Sequence, residues 1–314
     1  MNDGTMTEYP ATPGAEGARR RLIVIFNPTA GRRRTRRLAQ AMRHLEGRAD
    51  VTHRRTSARG DAEAFARATP QGAIAVVAGG DGTANEVANG LLAAGGGAMA
   101  VIPLGTANVL AAELAILGMA SAAGAAASGS VLAYRPGLAN GRGFLMMAGA
   151  GFDAHVVAGV SPRLKRLFGK GAYAIETLRQ LRRFPFPRYR VTIDDVVHDA
   201  ASVIVARGHF YGGRFVVAPE ARLESDELHV CLFRRGGRLR TIGYALALAL
   251  GRLHRLADVE IIRARKVIIE GPPGDPVQGD GDLIGRLPVA IELSPIAIGL
   301  LRPSSARPRS CPRS

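Results

Sequence analysis

Ala73-Ile74-Ala75-Val76-Val77-Ala78 runs straight into Gly79-Gly80-Asp81-Gly82-Thr83, and this stretch decides the fold of the 314-residue chain. Six apolar residues without polar alternation describe a strand buried on both faces, the kind found in parallel sheets. Three glycines within the next four residues let backbone N–H groups come close to phosphate oxygens at the start of a helix. Asp81 is placed to act through a metal or a hydrogen bond near those phosphates, and Thr83 can cap the helix and donate to phosphate. Taken alone, the same glycines could serve a tight strand-to-helix turn with no ligand.

Working outward, two companion turns favour the ligand. Residues 22–26, Leu-Ile-Val-Ile-Phe, read as a second buried strand ending in Asn27-Pro28-Thr29-Ala30-Gly31. The basic run 32–37 follows, and Leu38, Met42 and Leu45 fall at helical spacing. Residues 51–55 are a candidate strand and 61–68 a helix. After Thr83, Val87, Leu91 and Leu92 mark another helix, and strand 99–102 ends at Pro103-Leu104-Gly105-Thr106-Ala107-Asn108. Strands alternating with helices predict an open, mostly parallel α/β sheet. Ligands of such sheets bind beyond the carboxyl ends of the strands, where these turns lie.

After residue 132 the texture changes. Residues 144–148, 189–193, 202–206, 228–233, 259–262, 266–270 and 289–293 are strand-like, with one helical segment over 162–183. The expected organisation is a disordered leader (1–20), a nucleotide-binding α/β domain (21–132), a β-rich, sandwich-like substrate domain (133–302) and a loose tail (303–314).

The net charge of +16 is carried almost entirely by arginine, with lysine only at 165, 170 and 266. Such a balance suits a polyanionic partner: an anionic membrane face, nucleotide phosphates or nucleic acid. With aromatics at 5%, the aromatic interleaving that single-stranded nucleic acid requires is missing. The basic and apolar residues of 162–183 suit an anionic membrane surface, and equally an ordinary amphipathic helix with solvated arginines. No apolar stretch is long and uninterrupted enough to span a bilayer. The two cysteines, Cys231 and Cys311, form no metal or redox motif, in keeping with a reducing, cytoplasmic setting. The seven histidines show no metal-ligand spacing. No Gly-x-x-x-x-Gly-Lys-Ser/Thr loop and no His-Arg-Asp loop occurs, which argues against a P-loop NTPase or a protein kinase.

Asn27-Pro28 with Gly31, the Gly79–Thr83 turn with Asn85-Glu86, and the 103–108 turn together resemble the catalytic domain of the diacylglycerol kinase family, which includes bacterial lipid kinases, sphingosine kinases and ceramide kinases. The resemblance continues through Gly149-Ala150-Gly151-Phe152-Asp153-Ala154, Tyr211-Gly212-Gly213 with Ala218-Pro219, and Asp280-Gly281-Asp282, in family order from about residue 22 to 300. Any single motif is unspecific; the ordered set is not.

What the resemblance implies is an ATP-dependent lipid kinase of NAD kinase/diacylglycerol kinase-like fold. It acts at the inner face of the membrane in peripheral contact with anionic lipid, with a membrane lipid as substrate, no nucleic acid partner, and room for a homodimer. Asn27, Thr56, Gly79, Gly80, Asp81, Gly82, Thr83, Asn85, Glu86, Thr106 and Asn108 would bind ATP, accompanied by Mg²⁺. Asp280 would be the general base, although Asp280-Gly281 also reads as a hairpin turn. Two positions depart from the pattern. Asp282 replaces the usual Glu. In the loop after Ala218-Pro219, where many bacterial members hold a structural Mg²⁺ with an Asp-Gly pair, Ser225 stands in place of the Asp; Asp226 and Glu227 are the shifted candidate ligands. Two other functions fit the residues: phosphorylation of a soluble substrate such as NAD, which shares the Gly-Gly-Asp-Gly-Thr element, and non-catalytic binding of lipid or nucleic acid.

Overall fold

The computed structural model describes residues 19–27, 32–160 and 170–304. Most of the expected leader, Pro28 to Gly31, the first half of the 162–183 segment and Cys311 lie outside them. The chain divides into two compact units, Met1–Arg135 with Ser294–Ser314, and Pro136–Leu293.

The first unit is built on strands β1 (Arg20–Phe26), β2 (Ala49–Arg55), β3 (Ile74–Gly79), β4 (Ala98–Pro103), β5 (Ser130–Tyr134) and the last strand of the chain, β20 (Ile298–Arg302). Their order in the sheet is β2-β1-β3-β4-β20-β5, parallel except for β5. Ile74 to Ala78 of β3 are buried, as an unbroken apolar run requires. Helix α1 (Arg32–Leu45) packs with α5 (Met119–Ser128), and α2 (Asp61–Arg67) with α3 (Asp81–Ala93); α4 (Val109–Glu113) leans on β4. The alanine-rich stretch that weakens the sequence pattern near residue 125 is therefore a helix, whose small side chains are buried at Ala122, Ala123, Ala125 and Ala126. The domain boundary also differs from expectation. Ile298–Arg302 belongs to the first unit, between β4 and β5, and not to a second domain ending at 302.

The second unit holds β6 (Gly137–Ala139), β7 (Arg142–Phe144), β8 (Met147–Ala150), β9 (Tyr189–Ile193), β10 (Val196–Ala200), β11 (Ser202–Ala206), β12 (Phe210–Tyr211), β13 (Phe215–Val216), β14 (Leu228–Phe233), β15 (Val259–Ala264), β16 (Lys266–Glu270), β17 (Pro276–Gly279), β18 (Asp282–Arg286) and β19 (Val289–Leu293). Two antiparallel six-stranded sheets, β10-β9-β16-β19-β6-β7 and β15-β14-β11-β8-β17-β18, share one apolar core that includes Phe144, Tyr189, Val230 and Ile291, which makes this unit a β sandwich. The single strand expected over 144–148 is two, β7 and β8, in different sheets. Among the described residues three α-helices accompany the sandwich: α6 (Phe152–Gly159), α7 (Lys170–Arg183) and α8 (Arg238–Ala249). Among the described residues no helix is long and apolar enough to cross a membrane.

Gly90 shows how tightly the first unit is assembled. A Cβ there would sit 2.2 Å from the Glu63 carbonyl oxygen and 2.8 Å from the Ala66 Cβ, so α2 and α3 touch at this glycine. In an open helix Gly→Ala stabilises by roughly 1 kcal/mol. Here the clash reverses the sign: Gly90→Ala is expected to destabilise by about 1–3 kcal/mol, read as a lower midpoint in urea unfolding.

Candidate functional site

The first unit gathers the expected nucleotide residues at one edge of its sheet. Phe26 pairs with Arg55 and with Ala78, and Gly79 pairs with Pro103, so β2, β1, β3 and β4 end at one level. Thr56, Asn27, the Gly80 turn and the Leu104 turn follow those ends in that order. Thr56 is buried, and its N–H (2.9 Å) and hydroxyl (3.4 Å) both donate to the Phe26 carbonyl. The two glycine turns lean on each other: the Gly79 carbonyl accepts N–H groups from Leu104 (2.8 Å) and Gly105 (3.1 Å). A Cβ on Gly105 would fall 2.4 Å from the Gly80 Cα, so only glycine allows this approach. Thr83 folds back on Gly79, where a Cβ would lie 2.8 Å from its Oγ1.

Several side chains put forward as ligands hold these turns in shape. Asp81 accepts the N–H of Val109 at 2.7 Å and of Leu110 at 3.4 Å, which caps α4 from the neighbouring turn. Burial pushes its carboxyl up, and the α4 amides oppose that. Asn108, left-handed at φ 51°, closes its own turn: its amide donates to the Gly105 carbonyl (2.9 Å) and its Oδ1 accepts the Gly105 N–H (2.8 Å). Glu86 accepts the Gly60 N–H at 3.1 Å at the start of α2, and burial raises its carboxyl. Asn85 is buried in α3 and accepts from the Asn89 amide at 3.0 Å. Thr106 is exposed at the turn and Gly82 lies in the first turn of α3.

Asp280 lies in the second unit. Gly279 pairs with Asp282, leaving Asp280 (φ 53°) and Gly281 (φ 82°) as a two-residue hairpin turn of the left-handed kind. The hairpin reading of Asp280-Gly281 therefore holds. The carboxylate is also clamped by three amides, from Leu145 (2.6 Å), Met146 (2.8 Å) and Met147 (3.1 Å). Behind it runs a network that residue patterns did not single out. Gln278 donates to Asp153 at 2.8 Å and accepts the Gly281 N–H at 3.1 Å, and the Tyr211 hydroxyl donates to Asp153. Desolvation pushes the Asp153 carboxyl up, against the pull of its two donors, and carries the Tyr211 hydroxyl well above its ordinary value, with the Asp153 charge adding to it. Asp153 and Tyr211 were visible only inside longer motifs. Gln278 carries no sequence signal, because its role is to join two other motifs.

Among the described residues no three His, Cys, Asp or Glu come together to hold a metal. The Glu227 carboxylate lies 3.7 Å from Arg263, and Asp226 stands beside it in the loop between β13 and β14.

Comparison with known proteins gives the family of the chain. Residues 21–134 match the family model described as the diacylglycerol kinase catalytic domain, and 146–302 the YegS C-terminal NAD kinase beta sandwich-like domain. A Pseudomonas aeruginosa UCBPP-PA14 protein named "Probable lipid kinase YegS-like" is 31% identical over 67% of this chain and 71% of its own length. A Bacillus subtilis 168 protein named "Diacylglycerol kinase" is 29% identical over 86% of this chain and 92% of its own. A solved Bacillus anthracis chain shares the fold at TM-score 0.72, with 23% identity over 92% of this chain and 98% of that one. The chain therefore belongs to the diacylglycerol kinase family and is a kinase.

Proposed function

We propose that the chain transfers the γ-phosphoryl group of ATP to the hydroxyl of a membrane lipid, with diacylglycerol as the first candidate and phosphatidic acid as its product. The observation that carries the nucleotide half is the Gly80–Gly105 contact, which aligns two strand-end turns whose backbone can approach phosphate. The names of the relatives favour a lipid acceptor over NAD. The Mg²⁺ that accompanies ATP would neutralise phosphate charge, with Asp81 as the carboxylate nearest that task. Asp280 takes the proton of the lipid hydroxyl as its oxygen bonds to the γ-phosphorus and the bond to the β-phosphate oxygen breaks, leaving ADP. The three amides fix the direction of this carboxylate before substrate arrives.

Membrane contact is supported by α8. Leu239, Ile242 and Leu246 recur at helical spacing along it, with Leu250 at its C-cap, and Leu239 is 87% and Leu246 60% exposed. The opposite face is anchored: Arg240 pairs with Asp258, and the Tyr244 hydroxyl donates to Asp258 at 2.7 Å. Ile175 and Leu178 of the adjoining α7 are exposed as well, and Arg238 donates to the Arg182 carbonyl between the two helices at 2.9 Å. An apolar stripe flanked by Arg179, Arg182, Arg183, Arg235 and Arg252 fits an anionic bilayer surface.

Three outcomes follow. Gly105→Ala forces the two turns apart, and ATP affinity by equilibrium dialysis should fall roughly 10²-fold while the circular dichroism spectrum is kept. Asp280→Asn sets an amide NH₂ against a backbone N–H, so it should lose about 1–3 kcal/mol of stability and roughly 10²–10⁴-fold in lipid phosphorylation. A loss of turnover no larger than the unfolded fraction would remove Asp280 from the chemistry. Leu239→Ser with Leu246→Ser should cut sedimentation with phosphatidylglycerol vesicles roughly tenfold or more; a dimer dissolved instead, with vesicle binding intact, would assign the stripe to a second copy of the chain.

A further inference from the structure

Among the described residues Arg207, directly after β11, is one of the largest fully buried side chains, at 1% exposure. Its guanidinium reaches into the loop between β13 and β14. Nη1 donates to the carbonyls of Arg222 (3.3 Å) and Glu227 (3.4 Å), and Nη2 to that of Leu223 (3.1 Å). Three carbonyl oxygens of one short loop thus converge on a cation that belongs to the protein. This is the loop in which the family resemblance implies a structural Mg²⁺.

The residues present do not fit that ion. Mg²⁺ demands about six oxygen ligands in near-octahedral order at about 2.0–2.1 Å. Here Ser225 offers no carboxylate, Glu227 turns its own toward Arg263, and the converging carbonyls already accept from a guanidinium. A divalent ion among the same oxygens would meet the fixed positive charge of the guanidinium, and Ser225 supplies no anion to offset it. We infer that the Arg207 guanidinium is the built-in replacement for the loop cation, so that this chain holds the loop without a second metal.

The exchange reaches the site. The Arg207 N–H donates to the Met146 carbonyl at 2.8 Å, and the Met146 N–H donates to the Asp280 carboxylate at 2.8 Å. The loop, its internal cation and the amide clamp on Asp280 form one hydrogen-bonded series. Arg207 is in this sense a positioning residue, and the inference stands whichever hydroxyl the enzyme phosphorylates.

The test needs no turnover. With nucleotide absent, Mn²⁺ binding by electron paramagnetic resonance and the thermal midpoint with Mg²⁺ or with EDTA are measured on the wild-type chain. No bound Mn²⁺ and the same midpoint in both buffers are expected; a saturable site whose loss on chelation lowers the midpoint would overturn the inference. Arg207→Met removes the guanidinium from the Arg222, Leu223 and Glu227 carbonyls, the first of which keeps only the Ser225 N–H at 3.1 Å, and its midpoint should drop by on the order of 5 °C, whereas an unchanged midpoint would also count against it. Arg207→Ala combined with Ser225→Asp should bind Mn²⁺ and regain stability on adding Mg²⁺, the dependence that the wild type lacks. A double variant that binds no ion would show that the carbonyls are not a cation site.

Discussion

Three consecutive amides ending on one carboxylate organise the second unit. Leu145, Met146 and Met147 are buried, where an N–H without an acceptor costs about 1–3 kcal/mol. They lie where the chain leaves one sheet of the sandwich for the other, so no ladder partner serves all of them. Asp280 serves them from the tip of a hairpin, and it can do so only because the turn adopts left-handed angles that present its side chain inward. The tip is in turn held by Gln278, whose amide is oriented by the enclosed Asp153, and by the Tyr173 hydroxyl at 3.4 Å from the Gly281 carbonyl. Fold and proposed chemistry therefore share a residue, and a structural account and a catalytic account of Asp280 are compatible.

The first unit divides the labour differently. Asp81, Glu86 and Asn108 spend visible hydrogen bonds on shaping the strand-end turns and on starting α2 and α4. What the turns then offer a phosphate is chiefly backbone N–H, set in place by side chains around it. A site of that construction is rigid before the ligand comes, which is the condition under which fixed dipoles act without reorganisation.

Much of this could be read from residues. The apolar run of β3 and the glycines after it located both a parallel sheet and the close-packed turns at its strand ends, because burial on two faces and close backbone approach each leave a compositional trace. Asp280-Gly281 announced a hairpin for the same reason. Other features leave no such trace. The acids at 226 and 227 invite a metal reading, yet the atoms that meet Arg207 are carbonyl oxygens, which every residue type possesses. No apolar stretch is long enough to span a bilayer, and only the anchoring of Arg240 and Tyr244 on Asp258 reveals which face of α8 is left outside. Residues 298–302 stand apart from the sequence-read strands, and the choice of sheet by Ile298–Arg302 is a matter of tertiary pairing alone.

That choice bears on how the chain is made. Domains generally fold as units, N-terminal first, as they leave the ribosome. Here the sheet that begins with Arg20 lacks its fifth strand until Ile298 to Arg302 have been synthesised, and β5, which pairs only with that strand, has no neighbour before then. The sandwich of residues 136–293 can close while β4 still presents an open edge. In a nascent chain the α/β unit is thus completed after the sandwich, although most of it is translated before it.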